Sequence, residues 1–281
     1  MSYCVSPLRY PGGKTKLYKT VKTIISHNGL LGKAVYIEPF AGGSGLALKL
    51  LFNNDVKEIV INDMDPAIYW FWKVILENTE EFCKKIEDTS VTLEEWQHQK
   101  NIYNEGYDDN SLEFAFSVFF LNRTNVSGVL KGGVIGGLNQ TGTYKIDARY
   151  NKKSLIERIR KIRQFSDRIT VLNFDAFDLI VNQDLMSRKN ILINFDPPYV
   201  EKGGQLYHNY FTKQDHIELF NAIKKCPKRW IVTYDTAELI KNTYCKTFKY
   251  RTIDINYSVN NHTKGSEYMV FSKNLIVPKE M

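Results

Sequence analysis

Apolar positions along the chain fall into two kinds of run. Short continuous runs bounded by turn formers predict buried strands: Ala34-Val35-Tyr36-Ile37-Glu38, Glu58-Ile59-Val60-Ile61-Asn62-Asp63, Ile169-Thr170-Val171-Leu172-Asn173, Ile191-Leu192-Ile193, Trp230-Ile231-Val232-Thr233-Tyr234 and Tyr268-Met269-Val270-Phe271. Spacings of three and four predict helices between them. These carry Leu17, Val21, Ile24 and Ile25, then Leu46, Leu48, Leu50 and Leu51, then Ile68, Phe71, Trp72 and Ile75 behind Pro66. From Glu77 to Tyr107 the pattern is helical and polar, with Leu93, Trp96, Ile102 and Tyr103 as packing positions. Ser111 to Leu121, dense in phenylalanine, predicts a buried helix. Ser154 to Gln164 predicts a helix with a basic outer face, and Thr212 is placed to N-cap another. Strands alternating with helices predict an α/β fold: a mixed, mostly parallel sheet with helices on both faces. Only from Asn122 to Asn151 does the periodicity lapse, in a stretch punctuated by Gly128, Gly132, Gly133, Gly136, Gly137 and Gly142. So long a stretch is more than a connection, and its Asn, Gln, Arg and Lys side chains are of the kinds that read base edges or phosphates.

Composition narrows the class. The chain has 281 residues, 43% hydrophobic and 25% charged, which fits one large domain, or one with a small insert. No apolar run approaches the roughly 18 residues of a membrane span, and the amino terminus lacks the apolar core of a signal peptide. Cys4, Cys83, Cys226 and Cys245 are scattered and form no CxxC pair, so they are expected as free thiols in a reducing cytoplasm. No ligand spacing for a metal is present. The net charge is +7, and nine Lys or Arg against three acids lie between Lys145 and Arg168. A basic stretch of that density, which includes Lys152 and Lys153, suits a polyanion or forms a solvated helix face.

The most informative chemistry follows Ile191-Leu192-Ile193. Asn194-Phe195-Asp196-Pro197-Pro198-Tyr199 puts a carboxylate, a carbonyl held in direction by the next proline, and an aromatic ring at a strand's carboxyl end. Ligands bind at that edge in open α/β sheets. The exocyclic amine of a nucleobase is a poor nucleophile, because its lone pair is delocalised into the ring. Two acceptors, Asp196 and the Pro197 carbonyl, would draw on its protons and free that pair, while Tyr199 offers a face for stacking. The bland reading of the same residues is an N-capping turn before a helix.

Two glycine-rich turns precede it. Gly13-Lys14-Thr15 suggests a nucleotide-binding P-loop, but that pattern needs glycine where Leu8 stands, and no strand precedes it. Pro39-Phe40-Ala41-Gly42-Gly43-Ser44-Gly45 joins the first strand to a helix, and Asp63 ends the second strand 18 residues after Gly45. A glycine turn and an acid at this distance serve dinucleotide and S-adenosylmethionine sites alike. Leu48, where a third glycine would stand, disfavours a dinucleotide.

Taken together, these motifs resemble those of the Dam-like adenine-N6 DNA methyltransferases over about Pro7 to Phe271. The resemblance implies a Rossmann-like methyltransferase sheet with a small helical and loop target-recognition insert. It implies a cofactor half at 1–76, the insert at 77–151 and a catalytic half at 152–281. It implies S-adenosylmethionine as cofactor, held by Tyr10, Lys14, Phe40, Gly42, Gly43, Asp63, Asp175 and Asp196, with no metal. Asp196, Pro197 and Tyr199 are then catalytic, and Tyr199 and Phe211 stack an extruded base; Phe211 could equally staple its helix start. The partner implied is double-stranded DNA, contacted by Arg9, Arg123, Lys131, Asn139, Lys145, Lys152 and Lys153. A restriction endonuclease of the same specificity is a possible second partner, and a DNA-associated cytoplasmic location is expected. Lys131 stands where GATC-reading members carry arginine, which leaves the target sequence open. Two alternatives remain at this stage: an RNA or cytosine-N4 methyltransferase, and a non-catalytic DNA-binding protein on the same fold.

Overall fold

The structure, a computed structural model, describes residues 5–10, 12–107, 111–200, 211–257 and 263–279. The loop Glu201-Lys202-Gly203-Gly204 and the aromatics Tyr207 and Tyr210 lie outside the described residues, as does Cys4. By internal contact the chain forms two compact units. One joins Met1–Pro11 to Asp65–Asp167, and the other joins Gly12–Met64 to Arg168–Met281. The boundaries expected at 76/77 and 151/152 both fall within the first unit.

The second unit holds the sheet. Its strands are β1 (Val35–Glu38), β2 (Glu58–Asn62), β3 (Ile169–Leu172), β4 (Ile191–Phe195), β5 (Arg229–Asp235), β6 (Lys249–Tyr257) and β7 (Thr263–Phe271). They run in the order β3-β2-β1-β4-β5-β7-β6. β1 to β5 are parallel, whereas β7 is antiparallel to both β5 and β6. This is the Rossmann-like methyltransferase arrangement, and its order reverses between β1 and β4, where Val35 registers with Ile191. The parallel strands are apolar on both faces because both are covered. On one side Val35, Ile37, Ile193, Val232 and Val270 pack with Leu179, Leu219 and Ile223. On the other, by alternation, Tyr36, Ile59 and Ile61 meet the helix Gly45–Phe52.

Six strands were legible as apolar runs; β6 was not. Its Lys249, Arg251 and Asp254 break any continuous apolar signal, as befits a strand at the sheet edge, where charge discourages pairing with other chains. β7 also begins at Thr263, earlier than the run Tyr268–Phe271 suggests, because it is paired along β6.

The first unit is helical: Pro66–Glu77, Thr79–Asp88, Leu93–Glu105, Ser111–Thr124 and Lys152–Arg163. Asp65 caps the first of these by accepting the Ala67 N–H, with Pro66 at the first position. Phe71, Phe82, Phe116 and Phe119 form its ring-packed centre. The aromatic stripe on Pro66–Glu77 is therefore core.

One buried side chain organises the loops at the carboxyl edge of the sheet. Asn62, fully buried, donates to the Pro39 and Phe174 carbonyls at 2.9 Å each, and its Oδ1 accepts the Phe174 N–H at 2.9 Å. It thereby fastens the turns after β1 and β3 to the end of β2. Asn62→Ala would leave three main-chain groups without partners, so we expect stability to fall by about 2–4 kcal/mol. Urea unfolding of the variant checks this; a change below about 0.5 kcal/mol would mean the turns hold without it.

Candidate active site

β4 brings Asp196 to the switch point, and Lys14 comes to meet it. Lys14, only 7% exposed, opens the turn Lys14–Leu17. Its ammonium has three protons, and three oxygens lie at 2.8 Å: Gly12 O, Tyr199 Oη and Asp196 Oδ1. Thr233 Oγ1 on β5 donates to the same Asp196 Oδ1 at 2.9 Å. Both contacts thus fall on one carboxylate oxygen; the Asp196 side chain is 22% exposed. Buried Glu267 on β7 completes the cluster. It accepts a short hydrogen bond from Tyr199 Oη, and its Oε2 lies 3.8 Å from the Lys14 ammonium.

The glycine turn after β1 is shaped by its backbone. Gly42 has φ +45° and Ser44 φ +43°, the left-handed region that lets the chain fold over the end of β1. The Gly42 N–H donates to Asp63 Oδ2 at 2.9 Å, so the acid at the end of β2 also fixes the turn. Beneath it, Ser44 Oγ donates to Glu38 Oε2 at 3.0 Å. Burial pushes the Glu38 carboxyl up to about 8, and the negative charge of Asp196 adds to the shift. Glu38 is therefore largely neutral at pH 7, which keeps a second negative charge away from Asp196.

The other expected site residues are placed as follows. Phe40 and Phe211 meet edge to face, with ring centroids 5.9 Å apart. Phe211 also contacts His216, whose buried imidazole is bonded to Tyr234 Oη at 2.9 Å. Burial lowers His216 to about 4, so it is neutral at ordinary pH. Thr212 caps the helix Lys213–Lys225 through a reciprocal capping box with Asp215, as its position predicted. Tyr199 is 5% exposed, so the ring expected as a stacking face lies in the interior with its hydroxyl committed. Asp175 caps the helix Ala176–Val181 by accepting the Phe177 N–H.

Tyr10 and the residues expected at DNA belong to the first unit. Lys131, Asn139, Lys145 and Lys153 are exposed. Lys145 reaches the Gln140 carbonyl and Lys152 the Glu87 carbonyl, each at 2.6 Å. Arg123 is buried, and its guanidinium donates to the main-chain carbonyl of Arg149. Sequence reasoning missed the side chains that build this loop. Asn122 accepts the Arg9 N–H at 2.8 Å and donates to the carbonyls of Arg9 and Gly128. Asn125 accepts from Trp96 Nε1 at 2.7 Å and donates to Val129 O and Leu130 O. Gly128, at φ +79°, is required here, since a Cβ would sit 2.5 Å from Arg9 O. Among the described residues there is no cluster of His, Cys, Asp and Glu that could hold a metal, and no helix long and apolar enough to cross a membrane.

Residues 10–259 match the family described as D12 class N6 adenine-specific DNA methyltransferase. A type II methyltransferase of Methanocaldococcus jannaschii, M.MjaIII, is 24% identical over 242 residues, spanning 79% of this chain and 80% of its own. A second, M.CviBI of Paramecium bursaria Chlorella virus NC1A, is 23% identical over 238 residues, spanning 84% and 85%. Among solved structures, an rRNA methyltransferase from Streptomyces viridochromogenes aligns over 94% of this chain and 87% of its own, at 14% identity and a TM-score of 0.42.

The buried Glu38 carboxyl generates a pH dependence of known sign. Unfolded, it ionises near 4.5; folded, it keeps its proton to about 8. The folded chain binds more protons across that window, so stability is greatest below it and is lost as pH rises. His216 acts oppositely, but only between about 4 and 6.5, which leaves pH 6.5 to 8 to Glu38. Over that interval the native protein should lose about 2 kcal/mol relative to Glu38→Gln. Thermal melts of both proteins at several pH values check this; parallel curves would contradict it.

Proposed function

The chain belongs to the D12 class N6 adenine-specific DNA methyltransferase family, and from that premise we propose that S-adenosylmethionine is its methyl donor, duplex DNA its substrate and Asp196 the centre of its chemistry. The observation that carries the reading is the asymmetric bonding of Asp196. Lys14 and Thr233 hold Oδ1, and Oδ2 is left for the exocyclic amine of adenine. The Pro197 carbonyl serves as the second acceptor. Together they hold the amine so that its lone pair turns out of conjugation with the ring. Asp196 sits at a strand end and cannot reach an amine inside a stacked duplex, so the base must be extruded. Phe211, half-buried and packed on Phe40, is the aromatic face we assign to the extruded base. Tyr199 serves through its hydroxyl.

The donor set suits S-adenosylmethionine. Asp63 at the end of β2 offers a carboxylate to a ribose diol. The Phe40–Gly45 turn, with its left-handed Gly42, lets a ligand approach the backbone closely. Lys14, which anchors Gly12, is the residue we assign to the methionine end of the donor, and Asp175 the one we assign to its adenine. When bound, the donor supplies a methyl group on a positively charged sulfur. The chain's part is orientation of both reactants.

Exposed Lys131, Asn139 and Lys145 are the residues we assign to reading DNA. Lys152 and Lys153 hold phosphates, and Arg123 supports the loop from inside. Restriction-modification fits the type II designation of the two relatives, with an endonuclease of the same specificity as functional partner and a DNA-associated cytoplasmic setting.

Asp196→Ala should lower single-turnover methylation by about 100-fold or more, with DNA binding retained. Rates with labelled donor, beside gel-shift affinities, measure this. Turnover within a few-fold of native would remove Asp196 from the chemistry.

A further inference from the structure

Glu267 is fully buried on β7, in register with Asp235 of β5, and nothing in the reaction outlined above uses it. A carboxylate in the interior is costly unless it is partnered, so its partners show what it serves. Two of them are Tyr199 Oη, which donates to Oε1, and the Lys14 ammonium, 3.8 Å from Oε2. Lys14 in turn bonds Tyr199 Oη and Asp196 Oδ1, both at 2.8 Å.

The directions of these bonds matter. An ionised carboxylate only accepts, and a tyrosine hydroxyl has one proton. Tyr199 gives that proton to Glu267 and so must present a lone pair to Lys14. Lys14 is then held by Gly12 O and Tyr199 Oη, and its remaining proton points at Asp196 Oδ1. The ring of Tyr199 lies 5.0 Å from the same ammonium, which restricts it further.

We propose that Glu267 is a positioning residue for methyl transfer: through the Tyr199 hydroxyl and Lys14 it sets the orientation of the Asp196 carboxylate. The inference rests on the assignment of Asp196 to the adenine amine. It gives the buried tyrosine a role its ring position leaves unexplained. It also gives Glu267 a task distinct from stabilising the sheet. Without Glu267 the Tyr199 proton can turn elsewhere, Lys14 loses a stop, and the Asp196 carboxylate can rotate.

The test is a cycle of Glu267→Gln, Tyr199→Phe and the double variant, with Asp196→Ala as control. Each is assayed for single-turnover methylation at saturating S-adenosylmethionine and duplex, for donor affinity by calorimetry, and for thermal midpoint. Each single change should slow the methylation step by about 10- to 50-fold, while donor affinity stays within about threefold. Because the two act on one chain of contacts, the double variant should be no more than about threefold slower than the slower single. Should Glu267→Gln fail to fold, Glu267→Asp keeps the charge at a shorter reach and should show the same split with partial recovery of rate. Three results overturn the inference: an unchanged rate in Glu267→Gln, multiplicative effects in the double variant, or a loss accounted for by donor affinity or by melting. If Asp196→Ala itself turns over normally, the chemical assignment fails instead, and the cycle shows that separately.

Discussion

One ammonium group holds the proposed reaction centre together. Lys14 is nearly buried, and its three protons go to three parts of the second unit: the Gly12 turn before it, and Asp196 and Tyr199 beyond the end of β4. A buried ion pair is seldom a net source of stability. Its desolvation cost is of the order of its attraction, although removing one partner alone costs about 3–5 kcal/mol. Its value here is geometric. With Thr233 on the same oxygen, Lys14 takes away the freedom of a short side chain to present either oxygen to a substrate. The sheet makes this possible, because β1, β4 and β5 lie side by side and β7 returns antiparallel against β5 to deliver Glu267.

The carboxyls at the ends of β1, β2 and β4 are each held in a different way. Glu38 is driven neutral by burial, Asp63 is bonded to the Gly42 N–H, and Asp196 is balanced by Lys14. Three acids at the carboxyl edge of one sheet thus differ in partner. The left-handed Gly42 and Ser44 bend the turn over Glu38, and Asn62 ties that turn to its neighbours.

How much of this was legible in the sequence follows from what each signal depends on. The buried parallel strands show as continuous apolar runs because both of their faces are covered, so β1 to β5 and the end of β7 could be read directly. β6 could not, since an edge strand with Lys249, Arg251 and Asp254 carries no such run. Asp196, Lys14 and Asp63 stand in motifs with local spacing. Glu267 has none: it meets Tyr199 across 68 residues of sequence, and its one local sign is a charge adjoining the apolar run Tyr268–Phe271. Asn122 and Asn125 look like surface amides in a polar loop, yet both are buried and bonded to main chain. Arg123 was expected at DNA on its residue type, but it is buried and donates to the main-chain carbonyls of Arg149 and Pro7. A side chain's type does not tell which way it points; that comes from tertiary packing.

The central claim is that Asp196 Oδ2 receives the amine of an extruded adenine while Oδ1 stays with Lys14 and Thr233. A crystal structure of the protein with duplex DNA containing its target site and a non-reactive sulfonium analogue tests it most directly. The account predicts an adenine outside the stack, its N6 within hydrogen-bonding reach of Asp196 Oδ2 and the Pro197 carbonyl, and the Lys14–Asp196 pair intact. An extruded adenine whose N6 is held by other groups, with Asp196 engaged only by Lys14, would contradict it.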